Sequence, residues 1–216
     1  MTTAIIGVGN IGKVVAGHLV GGGERVVLAA RDESHARALA DQLGALASAT
    51  SVEKAITDAD TVVFAVGFDT MKDLVVQHAN LLTGKVVVDP SNPVSPDNNG
   101  GMVRTLPDGQ SSGSVIAGLL PADARFVKAF GTLGAESLAS ESNRTPRAVL
   151  FYATDDSEAG GAIERLISTA GFEPVKAGGI DAALSIEVFG ALHQFGGLNG
   201  KVLDANEAAT TVAATA

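Results

Sequence analysis

Three glycines near the start of the chain have the spacing of a phosphate-binding turn. The segment Gly7-Val8-Gly9-Asn10-Ile11-Gly12 has the form G-x-G-x-x-G and lies between a short apolar stretch and a helical pattern. In such a turn the first glycine permits a tight bend, the second lets a pyrophosphate approach the backbone, and the third allows close helix–strand contact. The amides at the start of the helix favour the phosphate charge. The segment therefore predicts a dinucleotide site.

The end of the second predicted strand indicates which dinucleotide binds. Proteins that use NAD place Asp or Glu there to hold the ribose 2′-hydroxyl. This chain has Ala30 and then Arg31, although Asp32 follows directly. The guanidinium fork suits phosphate oxygens. We therefore predict NADP(H) as the cofactor, with the 2′-phosphate held by Arg31 and with help from Ser34 and His35.

Other motifs are weaker candidates for chemistry. The segment 109–113 has the form G-x-S-x-G, but a Pro-Asp-Gly turn precedes it where a nucleophile elbow needs a strand. We interpret Ser111 or Ser112 as a helix cap. The chain has no cysteine, and its four histidines lack metal-ligand spacing. The sequence predicts no metal site and identifies no catalytic residue.

The elements that must position this turn alternate between strand and helix. Continuous apolar runs predict buried parallel strands at 4–7, 25–30, 61–66 and 85–89, followed by strands at 126–130, 148–153 and 174–177. Helices are predicted from residue 11 and at 32–43, 51–57, 70–82, 112–120, 158–170 and 180–195. Residues 90–109, rich in Pro, Asn and Gly, are predicted to form a functional loop.

This alternation predicts an α/β fold, a Rossmann-type doubly wound sheet that is mainly parallel, with a short C-terminal helical appendage. We expect residues 1–180 to form the NADP-binding domain together with the acceptor site. Residues 181–204 are expected to form the appendage, and residues 205–216 a flexible tail.

Composition excludes several classes of function. The net charge of −9 argues against nucleic acid and acidic membrane surfaces as partners. Eight Phe, one Tyr and no Trp give little material for stacking on single-stranded nucleic acid. The N-terminus lacks the pattern of a signal peptide, and no apolar run is long enough to span a membrane. We therefore expect a cytoplasmic protein.

Three further segments resemble blocks of one known family. They are Val88-Asp89-Pro90-Ser91-Asn92-Pro93, then residues 126–132 (FVKAFGT), then residues 170–175 (AGFEPV). Together with the glycine turn they are similar to the coenzyme F-420-dependent NADP reductases and their dinucleotide-binding relatives. The resemblance runs from residue 3 to residue 203. It implies a small Rossmann domain, a homodimer, and hydride exchange between NADP(H) and a small-molecule acceptor, a deazaflavin (coenzyme F-420) or a flavin.

The resemblance also implies which residues form the site. Those expected to bind the cofactor are Gly7, Val8, Gly9, Asn10, Ile11, Gly12, Arg31, Ser34, His35, Val66, Gly67, Phe68, Asn92 and Ala129. Those expected to line the acceptor pocket are Phe130, Gly131, Thr132 and His193. Gly131 departs from the family, which has His or Asn there. Either the missing side chain lets a flat ring approach the backbone closely, or the family's polar contact is absent, so the identity of the acceptor stays open.

Two other functions stay open at this point. One is an NADPH-dependent reductase of a small imine or carbonyl compound, although such enzymes usually carry a longer helical dimer domain. The other is an NADP-binding regulatory protein without turnover. Hydride transfer between two stacked rings depends on proximity and orientation more than on a general acid, which favours the deazaflavin or flavin acceptor.

Overall fold

The computed structural model describes residues 2–97 and 100–215. Ten strands lie in this part of the chain. They are β1 (Thr3–Ile6), β2 (Val26–Ala29), β3 (Ala47–Ala49), β4 (Thr61–Phe64), β5 (Val86–Asp89), β6 (Val94–Pro96), β7 (Met102–Arg104), β8 (Arg125–Lys128), β9 (Val149–Ala153) and β10 (Glu173–Gly178).

Helices alternate with these strands. They are α1 (Asn10–Gly21), α2 (Glu33–Leu43), α3 (Val52–Asp58), α4 (Phe68–Gln77), α5 (Ala79–Leu82), α6 (Ser112–Leu119), α7 (Ala135–Ser140), α8 (Ser157–Thr169), α9 (Ala183–Ile186) and α10 (Ala205–Thr215). A single 3₁₀ turn (Ile180–Ala182) precedes α9.

Eight of the described strands form one sheet in the order β10-β9-β8-β5-β4-β1-β2-β3. All neighbouring pairs are parallel except β8 and β9, which run antiparallel. The chain leaves β1 towards β2 and β3, then returns to the other side of β1 at β4. Ligands of open α/β sheets bind outside the carboxyl ends of the strands at such a reversal. The predicted Rossmann-type fold is confirmed.

Helices cover both faces of the sheet. Side chains alternate along β1, so Ile5 packs on one face with Val15 and Leu19 of α1, while Ala4 and Ile6 pack on the other face. Both faces are therefore apolar and buried, which explains why the strands read as continuous apolar runs rather than alternating ones.

The structure differs from the predicted helix at 180–195. After α9 the chain turns repeatedly, and Phe189 has a φ of +72°. A Cβ on Gly190 would lie 2.4 Å from the backbone oxygen of Leu184, so this glycine lets the chain fold back on itself. Leu192 and Leu198 are buried against β9 and β10. The segment is held by packing on the sheet instead of by helical hydrogen bonds.

Three smaller differences concern boundaries. The helix predicted at 70–82 is broken at His78, whose φ of −111° and ψ of 20° end α4 before α5 begins. The predicted loop at 90–109 contains the antiparallel hairpin β6–β7, and its residues 98 and 99 lie outside the described residues. Residues 205–216, expected to form a flexible tail, contain α10. Ala208 and Val212 of this helix pack against the core.

Among the helices of the described segments, none combines the length and the apolar character that a membrane crossing requires.

Candidate functional site

The three turn glycines have different roles. Gly7 has a φ of +100°, and a Cβ there would lie 2.4 Å from the backbone oxygen of Ala65. A Cβ on Gly12 would lie 1.9 Å from the oxygen of Gly7. A Cβ on Gly9 would meet no atom within 4 Å. The fold therefore requires Gly7 and Gly12, whereas Gly9 leaves free space in front of the backbone.

This space lies at the start of α1. Gly9 is the N-cap of the helix and offers no side chain to its amides, and the first turn holds no acidic residue. The unpaired amides and the positive end of the helix dipole favour an anion at this point. The turn therefore has the form and charge that a pyrophosphate requires.

Arg31, at the end of β2, lines the same cleft. It makes no hydrogen bond or ion pair with any residue that the structure describes. Its neighbour Asp32 is the N-cap of α2 and accepts hydrogen bonds from the hydroxyl of Ser34 at 2.6 Å and from its amide at 2.9 Å. These bonds lower the pKa of the Asp32 carboxyl. Asp32 is thus occupied as a cap, and the guanidinium of Arg31 is left for a ligand.

The cleft has a volume of about 660 Å³ and lies outside the carboxyl ends of the central strands. Its described lining consists of Gly7, Gly9, Asn10, Ile11, Arg31, Ala65, Val66, Gly67, Thr70, Pro90, Ser91, Asn92 and Val94. Most residues predicted to bind the cofactor are thus brought together. Thr70, in the first turn of α4, and Val94, on a short hairpin, were missed because neither position belongs to a motif.

Several predicted cofactor residues do not line the cleft. They are Val8, Gly12, Ser34, His35, Phe68 and Ala129. Phe68 and Ala129 are packed into the core, 6% and 2% exposed. Ser34 and His35 lie on the exposed first turn of α2, with His35 Nε2 4.0 Å from Asp32 Oδ2. Their contact with a bound cofactor stays a prediction.

The residues predicted to line the acceptor pocket lie together, but beneath the surface. Phe130, Thr132 and His193 are at most 2% exposed, and Phe130 has a φ of +63°. A Cβ on Gly131 would lie 2.6 Å from the oxygen of Pro90. The space that Gly131 was expected to open for a ring is therefore filled by the backbone of the neighbouring strand end. Their role in acceptor binding stays a prediction.

His193 is held as a neutral imidazole. Its Nδ1 accepts a hydrogen bond from the Phe195 amide at 2.9 Å, so its Nε2 carries the proton and donates to the carbonyl of Gly131 at 3.0 Å. Burial lowers the pKa of His193 to about 4; the nearby charge of Lys128 acts in the same direction, and the Gly131 carbonyl opposes both.

A buried polar cluster lies behind the cleft. Lys128 Nζ donates to Asp89 Oδ2 at 2.8 Å and to Ser112 Oγ at 2.7 Å, and it also donates to the carbonyl of Ser91. Ser112 Oγ donates to Glu187 Oε1 at 2.8 Å. Lys128, Asp89, Ser112 and Glu187 are at most 2% exposed. We define these four residues as the Lys128 cluster. No sequence motif predicts this cluster, because its members come from four separate segments.

A second cavity, of about 500 Å³, is lined by residues that pair with or bond to residues of the cleft wall. Val94 lines the cleft, while its partner across the hairpin, Arg104, lines the second cavity. Asn92 lines the cleft, and its Oδ1 accepts a hydrogen bond from the amide of Val188, which lines the second cavity. The second cavity therefore adjoins the β5 end of the cleft.

The doubly wound sheet, the open glycine turn and the cleft define a Rossmann-type dinucleotide-binding protein. Residues 2–93 match the family described as NADP oxidoreductase, coenzyme F420-dependent. This match bears out the resemblance predicted from the sequence, and it supports an NADP-dependent oxidoreductase.

Two solved structures are similar over most of the chain. The hypothetical protein SMa0349 from Sinorhizobium meliloti is 30% identical with a TM-score of 0.81, and the match covers 94% of this chain and 95% of that one. A provisionally assigned F-420-dependent NADP reductase from Arthrobacter sp. FB24 is 22% identical with a TM-score of 0.73, covering 85% of this chain and 87% of that one. The second likeness shows the fold alone.

Among curated proteins, Metalloreductase STEAP3 from Rattus norvegicus is 30% identical over 183 residues, which is 85% of this chain. This chain spans only 35% of the length of that relative.

Proposed function

We propose that the protein is an NADPH-dependent oxidoreductase that transfers a hydride between NADP(H) and the ring of a deazaflavin, coenzyme F-420, or of a flavin. The observation that carries this proposal is the cleft, which joins an unpaired Arg31 to the open backbone at Gly9. A 2′-phosphate and a pyrophosphate need these two features.

The order of the strands sets the direction of the cofactor. Arg31 follows β2, Gly7 follows β1, Ala65 follows β4 and Pro90 follows β5, and these four strands are neighbours in that order. With the 2′-phosphate at Arg31 and the pyrophosphate at Gly9, the nicotinamide falls at the β5 end, beside Ser91 and Asn92.

The bound cofactor would supply a hydride from its dihydronicotinamide, leaving NADP⁺, while the acceptor ring takes the hydride and a proton from solvent. Among the described residues that line the cleft, Arg31 is the only one with an ionisable side chain. An imine or carbonyl substrate usually needs a positioned proton donor, whereas ring-to-ring transfer needs mainly proximity and orientation. The cleft lining therefore suits a ring acceptor better than an imine or carbonyl. A proton for an imine or carbonyl would have to come from Asp108 or Asp181, which line the second cavity.

We place the acceptor at the β5 end, with part of it in the second cavity. Phe189, 48% exposed, presents an aromatic ring there, and Leu184, Val188 and Ala191 add apolar surface. Arg104 contributes a guanidinium, of which Nη2 already donates to the carbonyl of Gln110 at 2.6 Å. An exposed aromatic ring beside apolar walls suits a flat heteroaromatic ligand.

The test is anaerobic oxidation of NADPH, followed at the nicotinamide absorbance, with coenzyme F-420, FMN, FAD or no acceptor. A set of cyclic imines and small ketones serves as the competing arm. Turnover that requires F-420 or a flavin is the expected result. Turnover with imines or ketones alone would show that the acceptor is an imine or carbonyl compound and not a deazaflavin or flavin. Tight NADPH binding with no turnover in any arm would favour a regulatory protein.

A further inference from the structure

We infer that Lys128 and Asp89 are positioning residues, which hold the wall of the cleft against the nicotinamide end of the cofactor. The inference rests on the proposed function, because it takes NADPH as the ligand of the cleft. It follows from the hydrogen bonds that both side chains make with one residue, Ser91.

Both backbone groups of Ser91 are fixed by this ion pair. Its amide donates to Asp89 Oδ1 at 2.7 Å, and its carbonyl accepts from Lys128 Nζ. The pair itself is closed by the contact between Lys128 Nζ and Asp89 Oδ2 at 2.8 Å. Asp89 ends β5 and Lys128 ends β8, two adjacent parallel strands. We call these three contacts the Ser91 clamp. They tie the segment that follows β5 to the sheet.

The clamped segment lines the cleft. Ser91 and Asn92 both contribute to its wall, and Asn92 is fixed independently, since its Nδ2 donates to the carbonyl of Gly131 at 3.0 Å. No residue of the Lys128 cluster itself lines the cleft. Lys128 and Asp89 thus act through Ser91 and do not touch the ligand.

The charges of the surrounding groups are balanced. Lys128 lies between Asp89 and Glu187, with Nζ 3.8 Å from Glu187 Oε1, and Arg104 Nη1 lies 3.6 Å from Glu187 Oε2. Two cations and two carboxylates leave no net formal charge. A buried ion pair of this kind is weak evidence for stability, because desolvation offsets much of the attraction. Holding a defined geometry is a use that its contacts support directly.

A comparison of two ligands separates positioning from general stability. NADPH carries the nicotinamide, whereas 2′-phospho-ADP-ribose has the adenosine, 2′-phosphate and pyrophosphate without it. We expect Lys128→Met to lower the affinity for NADPH by about tenfold and to leave the affinity for 2′-phospho-ADP-ribose within about twofold of the wild type. We also expect a lower rate of hydride transfer at saturating NADPH, because small displacements of a reacting group reduce rates strongly.

Lys128→Met leaves two carboxylates with one cation, and an unbalanced buried charge opposes folding. The double variant Asp89→Asn/Lys128→Met removes one charge of each sign and keeps the cluster balanced, so it is the second test. Lys85→Met is the matched control. Lys85 Nζ donates to the carbonyls of Thr57 and Ala59 at 3.0 and 2.6 Å, at the opposite end of β5. It is expected to change stability and not the ratio of the two affinities.

The inference is overturned if a folded Lys128 variant keeps the ratio of the two affinities within about twofold of the wild type, or if the wild type itself binds the two ligands equally. Failure of the proposed function looks different. In that case the wild type binds NADPH but reduces no acceptor, or does not bind NADPH at all. The affinity ratio needs no acceptor, so the first of these outcomes leaves the positioning test intact. The second outcome overturns the inference together with the proposed function.

Discussion

The side chain of Asn92 joins two segments that are 96 residues apart, because its Oδ1 accepts a hydrogen bond from the amide of Val188 at 2.7 Å. Its Nδ2 donates to the carbonyl of Gly131. One amide group therefore ties the segment after β5 to the strand end of β8 and to the irregular C-terminal segment that borders the second cavity.

Asn92→Ala removes both bonds and leaves the amide of Val188 without its partner. We expect the free energy of unfolding to fall by about 1–3 kcal/mol, because each of the two lost hydrogen bonds contributes about 0.5–1.5 kcal/mol. Urea titration followed by circular dichroism gives this value. Asn80→Ala, at an exposed position on α5, should change it by less than about 0.5 kcal/mol. Equal stability of the two variants would show that the hydrogen bonds of the Asn92 side chain do not stabilise the fold.

Arg31→Ala tests the choice of cofactor. Because no described residue occupies the guanidinium, its loss should act on the ligand alone. One charge-assisted contact contributes roughly 1.5–3 kcal/mol, so NADPH affinity should fall by about tenfold to a hundredfold while NADH hardly changes. Arg37→Ala is the control, since Arg37 pairs with Glu33 on the exposed face of α2. A wild type that binds NADPH and NADH equally would contradict the prediction.

The fold and the dinucleotide turn could be predicted because their signals are local. The helix cap predicted at Ser111 or Ser112 is Ser111, whose side chain accepts a hydrogen bond from the Ser114 amide at the start of α6. β3 was not predicted, because its Ala-Ser-Ala sequence has no strand preference. α10 was missed although Asp204 and Glu207 form a reciprocal cap, with Asp204 Oδ1 accepting from the Glu207 amide and Glu207 Oε2 from the Asp204 amide.

The surroundings of the cleft depend on contacts between distant segments, and no local pattern encodes them. Ser112 was considered only as a helix cap, and its hydrogen bonds with Lys128 and Glu187 were not predicted. The surroundings of Gly131 could not be predicted for the same reason. Only the structure shows that the carbonyl of Pro90 fills the space beside it.

Gly9 and Gly12 allow ligand binding and folding to be separated. Gly9→Val should fold normally and lose NADPH binding, because its side chain would enter the space in front of the helix amides. Gly12→Ala should instead lower the free energy of unfolding by at least about 3 kcal/mol, since its Cβ would overlap the oxygen of Gly7. Titration with NADPH and thermal unfolding of both variants check the two outcomes. Normal NADPH binding by Gly9→Val would show that this glycine is not at the pyrophosphate.

Gly131→Asn restores the residue type common in the family, but we expect it to act on the fold first. Its Cβ would lie 2.6 Å from the oxygen of Pro90 and 3.4 Å from Asn92 Nδ2. Overpacking of this kind costs about 1–3 kcal/mol of unfolding free energy. Denaturant unfolding should therefore show a loss of stability even without ligand. An unchanged midpoint would mean that the strand ends separate easily at this point.

His193 should make stability depend on pH. The pKa of His193 is about 4 in the folded chain and 6.5 in its ordinary state, so between these values the unfolded chain binds more protons than the folded one. The stability associated with the neutral imidazole is therefore complete above pH 6.5 and decreases as the pH falls towards 4. The full difference is about 3 kcal/mol. The decrease should be smaller in His193→Gln, which does not titrate, than in the wild type or in His35→Gln, whose histidine is exposed. Urea midpoints measured at intervals from pH 7.5 to 4 give the slopes, and parallel slopes for wild type and His193→Gln would show that this histidine is not held neutral by the fold.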